Sequence, residues 1–229
     1  MKSCPAGIIA AAALAFAGAC GGGGSRAAAP SPRPASSAPG AEPPTILFVG
    51  TSLTAGLGVS PEEAYPALIQ QRIEKAGLPF RVVNAGVSGE TSAGARRRLE
   101  WLLDHRHVAV LVIETGANDG LRAQDPDATR ANVEAMLERA ARESPPPRVV
   151  LVGMQAPPNY GPDYARRFRA LYPELAAKHR VALVPFLLEG VAGVPRLNQA
   201  DGVHPTPEGH RMMADTVWGV LGPLLQPQR

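Results

Sequence analysis

Val108-Ala109-Val110-Leu111-Val112-Ile113 is an unbroken apolar run rich in β-branched residues. It shows no alternation of polar and apolar positions, so it reads as a strand covered on both faces. Four further candidate strands flank it: Thr45 to Gly50 (TILFVG), Phe80 to Val83, Val149 to Met154 and Val181 to Val184. Stretches with helical spacing lie between and after them, at 63–76, 91–103, 127–142, 164–178 and 207–225. In the first of these, Ala64, Ala67, Leu68 and Ile73 share one face and Gly77 ends it. Pro173 predicts a break in the fourth. Thr206 and Pro207 suit the cap and first turn of the last. Strands that alternate with helices require right-handed crossovers and a parallel sheet covered on both sides. The expected fold class is therefore α/β, a flavodoxin-like three-layer α/β/α sandwich with a five-stranded parallel sheet.

The chain has 229 residues, 45% hydrophobic and 19% charged, a balance typical of a globular protein. Its formal net charge is +3, with a single short basic run at Arg96-Arg97-Arg98. No basic stripe interleaved with aromatics is present, which argues against a nucleic-acid partner. Nothing in the composition demands an obligate protein partner. The two cysteines, Cys4 and Cys20, both precede the body, so the body holds no disulfide, thiolate nucleophile or thiolate metal site.

The first 44 residues read separately. Lys2 supplies a positive start, and Gly7 to Ala19 is an apolar run too short to span a bilayer comfortably. Residues 1–19 therefore read as a signal peptide. The run ends in Ala17-Gly18-Ala19-Cys20, small residues directly before a cysteine, which resembles a bacterial lipobox with Ala17 in place of the usual leucine. The resemblance implies cleavage before Cys20, a lipid anchor on its thiol and residence at the cell envelope. An ordinary signal peptide cut after Ala19, with Cys20 incidental, is the alternative. Residues 20–44 are rich in Gly, Ala, Pro and Ser, a composition that forms a tether and no core. Residues 45–229 remain as one domain.

In parallel α/β sheets, ligands bind beyond the carboxyl ends of the strands, so the loops on that rim come first. Gly50-Thr51-Ser52 follows the first strand and places Ser52 at a helix N-terminus, where free N–H groups favour a developing anion. A plain N-cap serine fits the same residues. A phosphate cradle fits the turn but lacks a following lysine. Asn84-Ala85-Gly86 follows the second strand, and a glycine there brings a backbone N–H close to a ligand or simply makes a turn. Thr115-Gly116-Ala117-Asn118 follows the third, with the Asn118 amide suited to the cleft or to a turn. Asp201-Gly202-Val203-His204 precedes the last helix. An acid three residues before a histidine on a tight loop reaches one ring nitrogen and fixes its tautomer, leaving the other to accept a proton. His105, His107, His179 and His210 lie at helix ends or inside a helix and read as structural.

Taken together and in this order, the four loops resemble the four motif blocks of the SGNH (GDSL-type) hydrolases, nearest to the bacterial arylesterase, thioesterase I and lysophospholipase group. The resemblance runs from about Thr45 to Leu225. It implies Ser52 as nucleophile, Asp201 and His204 as acid–base pair, and the N–H groups of Ser52 and Gly86 with the Asn118 side chain as oxyanion donors. Asn159-Tyr160-Gly161 resembles that group's substrate loop. There are two departures. Thr51 stands where the name-giving motif has Asp, and Ala117 stands where many members have Gly. The first removes a charged anchor beside the nucleophile.

The implied function is hydrolysis of small-molecule or lipid esters or thioesters through an acyl-enzyme, with neither metal nor organic cofactor. An O-deacetylase of polysaccharide or peptidoglycan with the same triad, or a non-enzymatic surface binding module, are the competing readings. No G-x-S-x-G surrounds a strand-five serine, which argues against a classical α/β-hydrolase.

Overall fold

The computed structural model describes residues 42–226. The proposed signal peptide, Cys20 and most of the proposed tether lie outside the described residues. The remainder forms one compact unit from Glu42 onward.

Five strands build the sheet: β1 (Thr45–Gly50), β2 (Arg81–Gly86), β3 (Val108–Glu114), β4 (Arg148–Val152) and β5 (Ala182–Val184). They lie in the order β2-β1-β3-β4-β5, and every pairing is parallel. This is the flavodoxin-like order, with its reversal at β1 and β3. The helices are α1 (Ser52–Ala55), α2 (Tyr65–Lys75), α3 (Ser92–Asp104), α4 (Ala117–Leu121), α5 (Pro126–Ala141), α6 (Pro162–His179) and α7 (Pro207–Leu225). The crossover from β1 to β2 runs in the opposite direction to the others. A right-handed connection therefore puts α2 on one face and α3, α5 and α6 on the other. The packing follows: α2 pairs with α7, α3 with α5, and α5 with α6.

The apolar runs are buried because both faces are covered. Residues 46–49, 110–113 and 150–152 have no exposed surface. Each such side chain stabilises the fold by about 1.5–3 kcal/mol relative to exposure. Strand β2, at one edge, keeps several partly exposed positions.

Some boundaries differ from the sequence expectation for local reasons. The helix expected from Glu63 begins at Tyr65, because Ser60 and Glu63 cap a separate 3-10 turn at Pro61–Glu63. The strand expected to reach Met154 stops at Val152, where Gly153 N–H donates to Val184 O at 2.8 Å. Pro173 does not break α6. It lies on the exposed side, where water can serve the carbonyl it leaves without a partner. Helix α7 keeps its expected bounds, with Thr206 Oγ1 accepting from Gly209 N–H and Pro207 in the first turn. No helix among the described residues is long and apolar enough to cross a membrane.

Candidate active site

The chain leaves β1 through Gly50, where any side chain would collide with Thr54 and with Glu114. Thr51 then caps α1, its Oγ1 accepting from Leu53 N–H. Ser52 is the first residue of that helix, and its own N–H has no partner among the described residues.

Beneath this elbow sits Glu114, the last residue of β3, fully buried. Its carboxylate accepts from Thr51 N–H at 2.8 Å, from the Thr51 hydroxyl at 3.0 Å and from the Thr54 hydroxyl at 2.8 Å. Since Thr54 donates to Glu114, the Tyr65 hydroxyl donates in turn to Thr54 at 2.8 Å. Burial pushes the Glu114 carboxyl above the ordinary carboxylate range, opposed by the hydrogen bonds from Thr51 and Thr54. The anchor lost with the motif's Asp is thus supplied by the neighbouring strand. Sequence reasoning passed over Glu114, although an acid closing the run VAVLVIE was its visible signal.

On the facing loop, Asp201 and His204 form a compact unit. Asp201 Oδ1 accepts the N–H groups of Val203 and His204, while Oδ2 meets His204 Nδ1 at 2.6 Å. These bonds, the ring contact first, hold the exposed carboxyl far below its usual range. Bonded to a carboxylate, Nδ1 carries the hydrogen, so Nε2 presents its lone pair. Nε2 lies 2.9 Å from Ser52 Oγ. The loop is closed by Gly202 in the left-handed region (φ 67°), by Gly202 N–H to Gln199 O and by Gln199 N–H to His204 O.

Asn118 sits in the first turn of α4, behind Gly116 at φ 99°. A side chain at Gly116 would strike the Tyr172 hydroxyl. Asn118 Nδ2 donates to Glu90 O at 3.0 Å, which orients the amide and leaves its second hydrogen available. Asn118 and the Ala117 methyl both line the cleft described below.

Gly86 does not take the role that the resemblance implied. Its N–H is engaged by Asn84 Oδ1 at 2.9 Å. A Cβ there would meet the α1 backbone at Ala55, so the glycine serves the close approach of β2 to α1. Gly89, three residues on, lines the cleft instead, at φ 78° and with no N–H partner among the described residues. The loop's second glycine was visible in the sequence, but nothing in the sequence ranked it above the first.

Ser52, Gly89, Asn118 and His204 open onto one cleft of about 640 Å³, walled by apolar side chains such as Leu53, Met154, Phe186 and Leu188. Gln155 to Pro158 contribute to this wall, whereas Asn159 and Tyr160 do not. Tyr160 instead braces the loop, its hydroxyl donating to Leu121 O at 2.8 Å. Among the described residues, no cluster of three His, Cys, Asp or Glu side chains is arranged to hold a metal ion.

Of the four other histidines, three make contacts away from the cleft. His105 bonds Trp101 O, and His179 bonds Glu134. His210 is buried against the Tyr65 ring and accepts Tyr65 N–H through Nδ1, while its Nε2 has no partner among the described residues. Burial pushes the His210 imidazole down to about 4, with Glu63 opposing in part.

The sequence and the fold both have known counterparts. Residues 48–212 match the GDSL-like lipase/acylhydrolase family. An esterase, TesA, from Pseudomonas aeruginosa is 45% identical over 181 residues, covering 79% of this chain and 89% of that protein. The thioesterase 1/protease 1/lysophospholipase L1 of Escherichia coli K12 is 36% identical over 183 residues, covering 79% and 85%. Among solved structures, that of TesA superposes with a TM-score of 0.75 at 44% identity, covering 79% of this chain and 99% of the other.

Proposed function

Because the chain belongs to the GDSL-like lipase/acylhydrolase family and is a serine ester hydrolase, we propose that Ser52, His204 and Asp201 are its catalytic triad. The continuous chain from Asp201 through His204 to Ser52 Oγ, ending in an apolar cleft, carries this reading. His204 Nε2 takes the hydroxyl proton as Ser52 Oγ attacks the acyl carbon. The carbonyl oxygen becomes an oxyanion, held by the Ser52 and Gly89 N–H groups and the free Asn118 amide hydrogen. The tetrahedral centre collapses, its bond to the alcohol or thiol breaks, and His204 returns the proton to that leaving group. Water then attacks the acyl-enzyme by the same sequence. Asp201 holds the imidazole in its tautomer and stabilises the imidazolium.

The size and apolar walls of the cleft favour a carboxylic ester or thioester with an extended acyl group over an acetylated sugar. The lipobox-like Cys20 and the tract after it favour export and lipid anchoring at the cell envelope. Chromogenic esters of increasing acyl length, run beside acetylated glycans with Ser52→Ala as blank, test the substrate reading. Turnover is expected to persist or rise as the acyl group lengthens from acetyl. Activity confined to acetylated glycans would overturn it. Cys20→Ser is expected to remove the lipid that mass spectrometry finds on the wild-type chain and to weaken its retention in the membrane fraction.

A further inference from the structure

The exposed large apolar side chains of the described residues are Leu57, Val87, Trp101, Leu121, Tyr160 and Val203. Scattered singly, such residues need no explanation. Five of them are not scattered. Leu57 follows α1, Val87 follows β2, Leu121 ends α4, Tyr160 follows β4 and Val203 lies in the acid–base loop. Leu57, Leu121 and Val203 line the catalytic cleft. Val87 adjoins the lining residue Ser88, and Tyr160 is bonded to Leu121. Five separate segments thus present an apolar rim around one mouth. Trp101, the sixth, is on the flank of α3, stacked on His105 and capped by Arg106. Beside Leu121, Arg122 is exposed; it donates one hydrogen bond to Gly89 O at 3.2 Å and forms no ion pair among the described residues. A cation at the edge of an apolar rim suits a phosphate head group.

We propose that this rim docks on a phospholipid bilayer surface, so that an acyl ester enters the cleft from the lipid without crossing water. The proposal rests on the reading of the cleft as an ester site and on the anchor at Cys20. The body's chain enters at Thr45, at the foot of β1, and the six residues of that strand rise about 20 Å toward the rim. Residues 20–44 reach about 85 Å when extended. A domain tethered at Cys20 can therefore turn its rim onto the membrane that holds it.

The test uses the processed chain, residues 20–229 carrying Cys20→Ser, so that neither the lipid nor the apolar run of residues 7–19 contributes, and vesicles of phosphatidylcholine with phosphatidylglycerol. Cosedimentation is expected, and Val87→Glu should weaken it about tenfold, the equivalent of losing one buried apolar side chain. Val87 does not line the cleft, so the same variant should hydrolyse a water-soluble monomeric ester at the rate of its parent. Trp101→Ser should leave cosedimentation unchanged. Absence of vesicle binding, or binding lost with Trp101→Ser and kept with Val87→Glu, would overturn the docking. Failure to hydrolyse the soluble ester would instead overturn the ester-site reading, and vesicle binding is scored independently of it.

Discussion

Ser52 and His204 meet across 2.9 Å, yet the two halves of the site are held by opposite means. The Ser52 half is buried. Thr51, Ser52 and Thr54 are all inside, and their loop hangs on the Glu114 carboxylate through three donors. The Asp201–His204 half is a surface loop whose Asp201 is exposed and whose bonds run almost entirely to its own backbone and to His204. One half is positioned by the core, the other by a tight turn. Damage to the first should therefore appear as lost stability and damage to the second as lost rate.

The largest effect falls where the halves touch. Ser52→Ala and His204→Ala remove one shared step, so each should lower kcat by about 10⁴-fold or more and the double variant hardly further. Additive losses in steady-state kinetics would mean that the two residues act independently. Within the buried half, Glu114→Ala strands donors that cannot reach water and should cost about 3–5 kcal/mol of stability. Urea unfolding measures it, and a cost below about 1 kcal/mol would show that the anchor is not structural. Asn118→Ala leaves proton transfer intact and removes one oxyanion donor. Its kcat should fall about 10²–10³-fold, or about 3–4 kcal/mol, with KM little changed. If Asn118 only fastens its loop to Glu90, the folded fraction will turn over at the normal rate.

The smallest effect is a pH dependence. His210 is neutral in the fold because its pKa sits near 4, below the ordinary 6.5. As pH falls below 6.5 the unfolded chain takes up a proton that the folded chain refuses. Its contribution is therefore complete above 6.5, declines between 6.5 and 4, and levels off below, a loss of at most about 3 kcal/mol. His210→Asn keeps an acceptor for Tyr65 N–H and cannot titrate. Its melting temperature should vary less than wild type between pH 6.5 and 4, and an equal slope in both proteins would rule His210 out as the source.

The same contrast explains what was legible in the sequence. Apolar runs such as Val108 to Ile113 need only composition to be recognised, so the five strands and their parallel sheet were open to reading. Asp201 and His204 bond to each other across three residues, which spacing alone suggests. Glu114 acts on residues sixty positions away through sheet register, and no local pattern announces that. Gly86 and Gly89 share one loop, and only the hydrogen bond from Gly86 to Asn84 reveals which N–H is free. Tyr160 carried a motif resemblance, but its hydroxyl turns to Leu121 and leaves the wall to Gln155 through Pro158.

Active-site labelling tests the central claim most directly. The protein is treated with a p-nitrophenyl alkylphosphonate, and the site of the adduct is mapped by peptide mass. One phosphonyl group per chain, on Ser52, is expected, with labelling abolished in Ser52→Ala and slowed at least 10³-fold in His204→Ala. A stoichiometric adduct on any other residue, or undiminished labelling of Ser52 without His204, would contradict the account.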